Sequence, residues 1–170
     1  MTDIAIRQAE PDDAEALYEL AETTSAETAF LLRQPGEGLR SGAAWRDVLA
    51  SQQSGDSNIM LVAAKGTRLL GHCGLYRGEF ARNRHTATIA IAIRQSHVGR
   101  GIGTKLLIAA IDRAAAAGIT RLDLTVMPGN DRALRLYRGH GFTVEGRKRG
   151  SVELQSGPKD EIMMARLLKD

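Results

Sequence analysis

His97-Val98-Gly99-Arg100-Gly101-Ile102-Gly103-Thr104-Lys105-Leu106-Leu107 decides how this chain is read. Its three glycines alternate between a strand-like run and a helix-like one. Glycine has no Cβ, so another molecule can approach the backbone closely there. The first N–H groups of a helix have no internal acceptor, and the helix dipole adds partial positive charge at that end. The segment therefore predicts a phosphate or pyrophosphate site at a helix start. Two common glycine motifs do not fit it. The dinucleotide fingerprint needs G-x-G-x-x-G after an early strand, and the P-loop needs G-x-x-x-x-G-K-S/T. Here the glycines are evenly spaced and Thr104 precedes Lys105.

Upstream, Thr86 to Ile93 reads as a strand. Alternation puts Ile89, Ile91 and Ile93 on one face and Thr88, Ala90 and Ala92 on the other. The small residues of that second face leave room for a helix or a ligand. Ile59 to Ala64 and Leu69 to Tyr76 read as strands joined by a Lys65-Gly66-Thr67 turn. Ile4-Ala5-Ile6-Arg7 is a first short strand. Pro11-Asp12-Asp13 opens a helix with an apolar stripe of Leu17, Leu20 and Ala21. From residue 25 to 57 the pattern weakens, with a loop at Gln34-Pro35-Gly36-Glu37-Gly38 and a short helix carrying Trp45, Val48 and Leu49.

Downstream, the helix after the glycines runs to about Ala117, with Leu107, Ala110, Ile111 and Ala114 on one face and Gly118 as its stop. Leu122-Asp123-Leu124-Thr125-Val126 alternates as a strand. Asn130 caps a helix carrying Ala133, Leu134, Leu136 and Tyr137, which Gly141 ends. Phe142-Thr143-Val144 and Glu161 to Leu167 are the last strands. The order β-α-(α)-β-β-β-α-β-α-β-β predicts one mixed α/β domain spanning residues 1–170.

Composition narrows the classes. The chain has 170 residues and a formal net charge of +3. No apolar run reaches the roughly 20 residues of a membrane span, and no basic start precedes a long apolar stretch. A cytoplasmic location and no membrane partner are the expectations. Cys73 is the only cysteine, which rules out an internal disulfide or a CxxC framework. No metal is expected. Arg147-Lys148-Arg149 and Arg82-Asn83-Arg84-His85 are short basic clusters without a nucleic-acid motif, so no nucleic-acid partner is expected.

The second informative segment is Asn130-Asp131-Arg132-Ala133-Leu134-Arg135-Leu136-Tyr137-Arg138-Gly139-His140-Gly141-Phe142. With it, the chain resembles the GCN5-related N-acetyltransferase (GNAT) superfamily, whose members carry R/Q-x-x-G-x-G/A and later N-x-x-A-x-x-L-Y-x-x-x-G-F. The resemblance runs from about residue 4 to 168 in element order and is sharpest from residue 89 to 142. It implies an α+β domain with a mixed, mostly antiparallel sheet and a splayed strand pair flanked by helices. Acetyl-CoA is the implied co-substrate, with its pantetheine arm between residues 90–93 and 124–127, along Ile91 and Ile93. Its diphosphate is implied on Val98, Gly99, Arg100, Gly101, Gly103 and Thr104. Asn130 and Ala133 are implied cofactor contacts. Tyr137 is implied to touch the cofactor and to give the leaving sulfur a proton. A backbone N–H near Ile93 is implied as an oxyanion donor.

Two departures stand out. Val98 occupies the position that is Arg or Gln in the pattern, so diphosphate binding rests on backbone N–H groups, with Arg100 as a possible side-chain substitute. Thr88 occupies the place of a strand glutamate that serves many relatives as base. Glu79, His85, His72 and Glu153 are the substitutes to test, alongside attack with no dedicated base. Cys73 reads as a buried structural thiol rather than an acyl carrier. The tail Glu145-Gly146 and Asp160-Glu161-Ile162-Met163-Met164-Ala165-Arg166-Leu167 is similar to the subgroup acting on small amines such as amino acids. The implied reaction is acetyl transfer to a primary amine of a small molecule (amino acid-like, polyamine or antibiotic) by direct attack in a ternary complex. A peptide or protein N-acetyltransferase and a non-catalytic CoA-binding module are the alternatives. Residues 25–45, 76–85 and 152–159 are the loops expected to meet the acceptor. A homodimer is the assembly that the resemblance suggests.

Overall fold

Seven strands form one sheet in the computed structural model, which describes residues 3–52 and 58–168. They are β1 (Ala5–Gln8), β2 (Ile59–Lys65), β3 (Arg68–Arg77), β4 (Thr86–Ile93), β5 (Arg121–Val126), β6 (Thr143–Leu154) and β7 (Gly157–Leu167). Their spatial order is β1-β2-β3-β4-β5-β7-β6. Every neighbouring pair is antiparallel except β4 and β5. That parallel pair is joined through α3 (Ile102–Ala116), the crossover a parallel connection needs. The chain is thus the single α/β domain, mostly antiparallel and flanked by helices, that the resemblance implies.

Alternation along the strands fills a core on each face. One face sends Leu61, Cys73, Leu75, Ile89, Leu122 and Leu124 against Leu106, Leu107, Ala110 and Ala114 of α3. The other sends Met60, Val62 and Ala64 against α1 (Ala14–Glu27) and α2 (Gly42–Gln52), through Leu17, Leu20, Trp45 and Leu49. Each fully buried leucine contributes about 1.5–3 kcal/mol from removal of its surface from water. Asp13 fixes the start of α1. Its carboxylate takes two bonds from Arg7, at 2.6 and 2.7 Å, and the Glu10 N–H at 2.8 Å.

Two loop expectations are corrected. Residues 152–159 are not a loop, because β6 continues to Leu154 and turns tightly into β7 at Gly157. The sequence hides this strand because β6 is an edge strand, exposed on both faces over most of its length. An edge without a buried face carries no apolar alternation to read. Its register also shifts between Val144 and Gly146 and between Lys148 and Val152. The N-terminal irregular stretch narrows to residues 28–41, since α1 reaches Glu27 and α2 begins at Gly42. Among the described residues, no helix is long and apolar enough to cross a membrane.

Candidate active site

The site begins where β4 and β5 part. They pair only at Thr86↔Arg121, Ala87↔Leu122 and Thr88↔Asp123. Past that point β5 stays with β7, through Leu124↔Met164 to Val126↔Ile162, while β4 stays with β3 as far as Ile93↔Gly71. Arg94 N–H donates to the Leu70 carbonyl at 2.9 Å, toward β3. Backbone groups alternate sides along an antiparallel strand, so those of Ile93 and Ile91 point the other way, into the gap. The gap belongs to a cleft of about 810 Å³, lined on β4 by residues 88–93 and on β5 by Thr125 and Val126.

One end of the cleft meets the start of α3. Gly99 and Gly101 have φ of 80° and 77°, where an L side chain is strained, and a Cβ at either would meet open space. The first bond within α3 runs from the Lys105 N–H to the Gly101 carbonyl. The N–H groups of Ile102, Gly103 and Thr104 therefore have no intrahelical acceptor. Gly103 has a different task. A Cβ there would sit 3.1 Å from Ile93 Cδ1 and 3.4 Å from Leu136 Cδ2, so glycine lets α3 close on β4 and on the helix α4 (Asp131–Arg138). Val98 lines the cleft, but its N–H donates to the Gln95 carbonyl at 3.3 Å. Arg100 is exposed and, like Gly99, Gly101, Ile102, Gly103 and Thr104, lies just outside the cleft lining, which ends here at Val98. The free donors at this helix start are backbone N–H groups.

α4 supplies the opposite wall. Asn130 caps it, its Oδ1 accepting the Ala133 N–H at 3.2 Å, and both residues line the cleft. The cap sets the helix so that Tyr137 faces inward, 7% exposed, with its ring edge-on to Phe142 at 5.6 Å between centroids. The Tyr137 side chain lines the cleft, and its hydroxyl makes no hydrogen bond among the described residues. Burial raises its pKa well above the ordinary 10. It holds its proton throughout the neutral range.

The rest of the cleft wall is built by the segment after α1 and by the small-residue face of β4. Phe30, Leu31 and Leu32 line the cleft, with Phe30 43% and Leu32 71% exposed. Thr88 and Ala90 open into it from below. α1 is tied to the strand beneath it. Glu27 Oε2 accepts the Gln95 N–H at 2.7 Å, and Glu19 accepts from the buried Arg94 guanidinium at 3.0 Å.

Sequence reading missed one member of this site and the partner of another. Thr88 Oγ1 donates to Asp123 Oδ1 at 2.8 Å, and Glu161 of β7 lines the cleft opposite β4. Glu161 opens an apolar strand run, so in the sequence it looks like a strand end rather than a wall residue. The four suggested bases lie elsewhere. Glu79, His85 and Glu153 are exposed outside the cleft wall. His72 lies outside it too, with Nδ1 sealed and unpartnered. Desolvation, helped by Arg33, depresses its pKa to about 4, so it is a neutral and very weak base. Cys73 is buried, and desolvation pushes its thiol up to about 12, so it stays a thiol facing the core.

Comparison with known proteins agrees with this geometry. The Acetyltransferase (GNAT) family matches residues 14–142. An acetyltransferase of that family from Streptococcus pneumoniae superposes with a TM-score of 0.92 at 32% identity, over 98% of this chain and 100% of that one. An acetyltransferase from Salmonella typhimurium, solved with its cofactor acetyl-CoA, shares the fold at 21% identity and a TM-score of 0.87, over 99% of this chain and 95% of that one. The L-methionine sulfoximine/L-methionine sulfone acetyltransferase of Pseudomonas aeruginosa is 26% identical over 84% of this chain and 81% of its own length. This chain belongs to the GNAT family and is an acetyl-CoA-dependent N-acetyltransferase.

Proposed function

We propose that the protein acetylates the primary amine of a small, amino acid-like molecule by direct attack within a ternary complex. The observation that carries this reading is the cleft itself. Its β4 edge and Tyr137, with the α3 N-terminus just beyond Val98, suit one thioester donor, while the rest of its lining is mixed in character. Phe30, Leu31 and Leu32 suit an apolar side chain. Glu161 suits an ammonium group. A relative named for two methionine analogues supports the same class. The reading also includes a homodimer, for which the long edge β6 is the natural surface; sedimentation would test it.

Each chain residue has a bounded task. The N–H groups of Ile102, Gly103 and Thr104 hold the diphosphate, with Gly99 and Gly101 giving it access. The backbone of Ile91 and Ile93 aligns the pantetheine arm, and an N–H near Ile93 donates to the thioester oxygen as charge develops there. The Tyr137 hydroxyl, which burial keeps protonated, hydrogen-bonds the departing sulfur and gives it a proton, and the phenolate regains one through solvent water. Thiol release from acetyl-CoA, run against amino acids, their analogues, polyamines, aminoglycosides and short peptides, tests the reading.

A further inference from the structure

The β5 face opposite the α3 core carries Asp123 and then Thr125, and both are engaged by hydrogen bonds to neighbouring strands. Thr88 of β4 donates to Asp123. Thr125 Oγ1 donates to Glu161 Oε1 at 2.6 Å, and Ser151 of β6 donates to Glu161 Oε2 at 3.0 Å. Each oxygen of the Glu161 carboxylate thus faces a neutral hydroxyl from a different strand, the Ser151 proton being shared with the Lys148 carbonyl at 3.1 Å. Among the described residues no Lys or Arg nitrogen lies within 4.0 Å of it. Its cross-strand partner Lys148 forms no bond to it. A carboxylate pinned in place and left without a counter-ion is prepared for a cation from outside the chain.

We infer that Glu161 receives the ammonium group of the acceptor and removes its proton, the task that Thr88 cannot perform. This rests on the acetyl-transfer reading above. The other cleft carboxylates fit less well. Glu27 is spent on the Gln95 N–H, and Asp131 sits in the first turn of α4, on the cofactor's wall. Asp123 is not part of the cleft lining and has Arg121 at 3.9 Å. The step balances without a further reagent. The ammonium proton passes to Glu161, and the freed nitrogen lone pair forms the C–N bond. The C–S bond breaks, with its electrons leaving on sulfur, which takes the Tyr137 proton. The second nitrogen proton returns to Tyr137 through water, and Glu161 releases its own to solvent.

The test compares the parent with Glu161→Gln and Thr125→Val, using the panel amine that the parent turns over fastest. Glu161→Gln is expected to bind acetyl-CoA within twofold of the parent. Its kcat/KM should fall by about 100-fold at pH 7. That deficit should close as pH rises past the pKa of the acceptor amine, which then arrives neutral. Thr125→Val keeps the carboxylate but loosens it, and should lose less, with the same pH trend. Parent-like rates in both variants, or a Glu161→Gln deficit that does not change with pH, would overturn the assignment while leaving acetyl transfer standing. A parent that binds acetyl-CoA and acetylates no amine would overturn both.

Discussion

Thr88 and Asp123 are hydrogen-bonded across the last register pair that joins β4 to β5, at 2.8 Å. Immediately beyond that bond the strands separate and the cleft opens. The hydroxyl at position 88 therefore closes the sheet beneath the site and neutralises none of the Asp123 charge.

Thr88→Glu would put two carboxylates on adjacent strands at that point. Like charges directly opposite each other destabilise a sheet by about 1 kcal/mol. Their mutual repulsion raises the folded-state carboxylate pKa, so the penalty is present at neutral pH, fades as pH falls through that raised value and is gone at about the unfolded value of 4. Thermal unfolding at pH 8 and at pH 4 should show a deficit only at the higher value.

Gly101→Ala tests the backbone phosphate site. The added Cβ meets open space in the protein, but φ is 77°. Strain of about 1–2 kcal/mol should lower the melting temperature slightly. If the diphosphate sits on this backbone as proposed, acetyl-CoA affinity should fall at least tenfold, because the Cβ would stand in its approach. Arg100→Ala, by contrast, should change that affinity less than threefold. Isothermal titration of acetyl-CoA measures both.

Tyr137→Phe removes a hydroxyl with no partner among the described residues and keeps the ring against Phe142. Stability should be close to that of the parent. kcat should fall by about 100-fold. Since burial lifts the Tyr137 pKa above its ordinary 10, the phenol is protonated across the neutral range, and the deficit should be equal at pH 6 and pH 9. Steady-state thiol release at the two pH values checks it.

Asp13 supports the start of α1 rather than the chemistry. The bidentate bond from Arg7 holds its carboxyl below the usual range. A folded-state pKa below the unfolded one stabilises the protein above the unfolded value, and that contribution is lost as pH falls through the folded value. Asp13→Asn should be about 1 kcal/mol less stable at pH 7, a figure reduced for the partly exposed Arg7. By about pH 2 the two proteins should unfold alike.

The parts of the fold that were legible in the sequence are those with a buried face. β4 shows itself through its isoleucines, α3 through Leu107, Ala110 and Ala114, and the start of α4 through the Asn130 cap. β6 was only partly legible because an edge strand exposes both faces. The glycines and Tyr137 were legible because a motif spaces them along the chain. Glu161 was not, since its place in the site depends on pairing with β5 and β6, nearly the whole tail away from Thr125. Thr88 could be seen as a departure, but its Asp123 partner lies 35 residues on, across the α3 crossover.

The most direct measurement is thiol release from acetyl-CoA by the purified protein with L-methionine sulfone and a panel of amino acids, with mass spectrometry of the acceptor. The account predicts amine-dependent thiol release and an acceptor carrying one acetyl group on nitrogen. Tight acetyl-CoA binding with no thiol release above the amine-free rate, for any member of the panel, would contradict it.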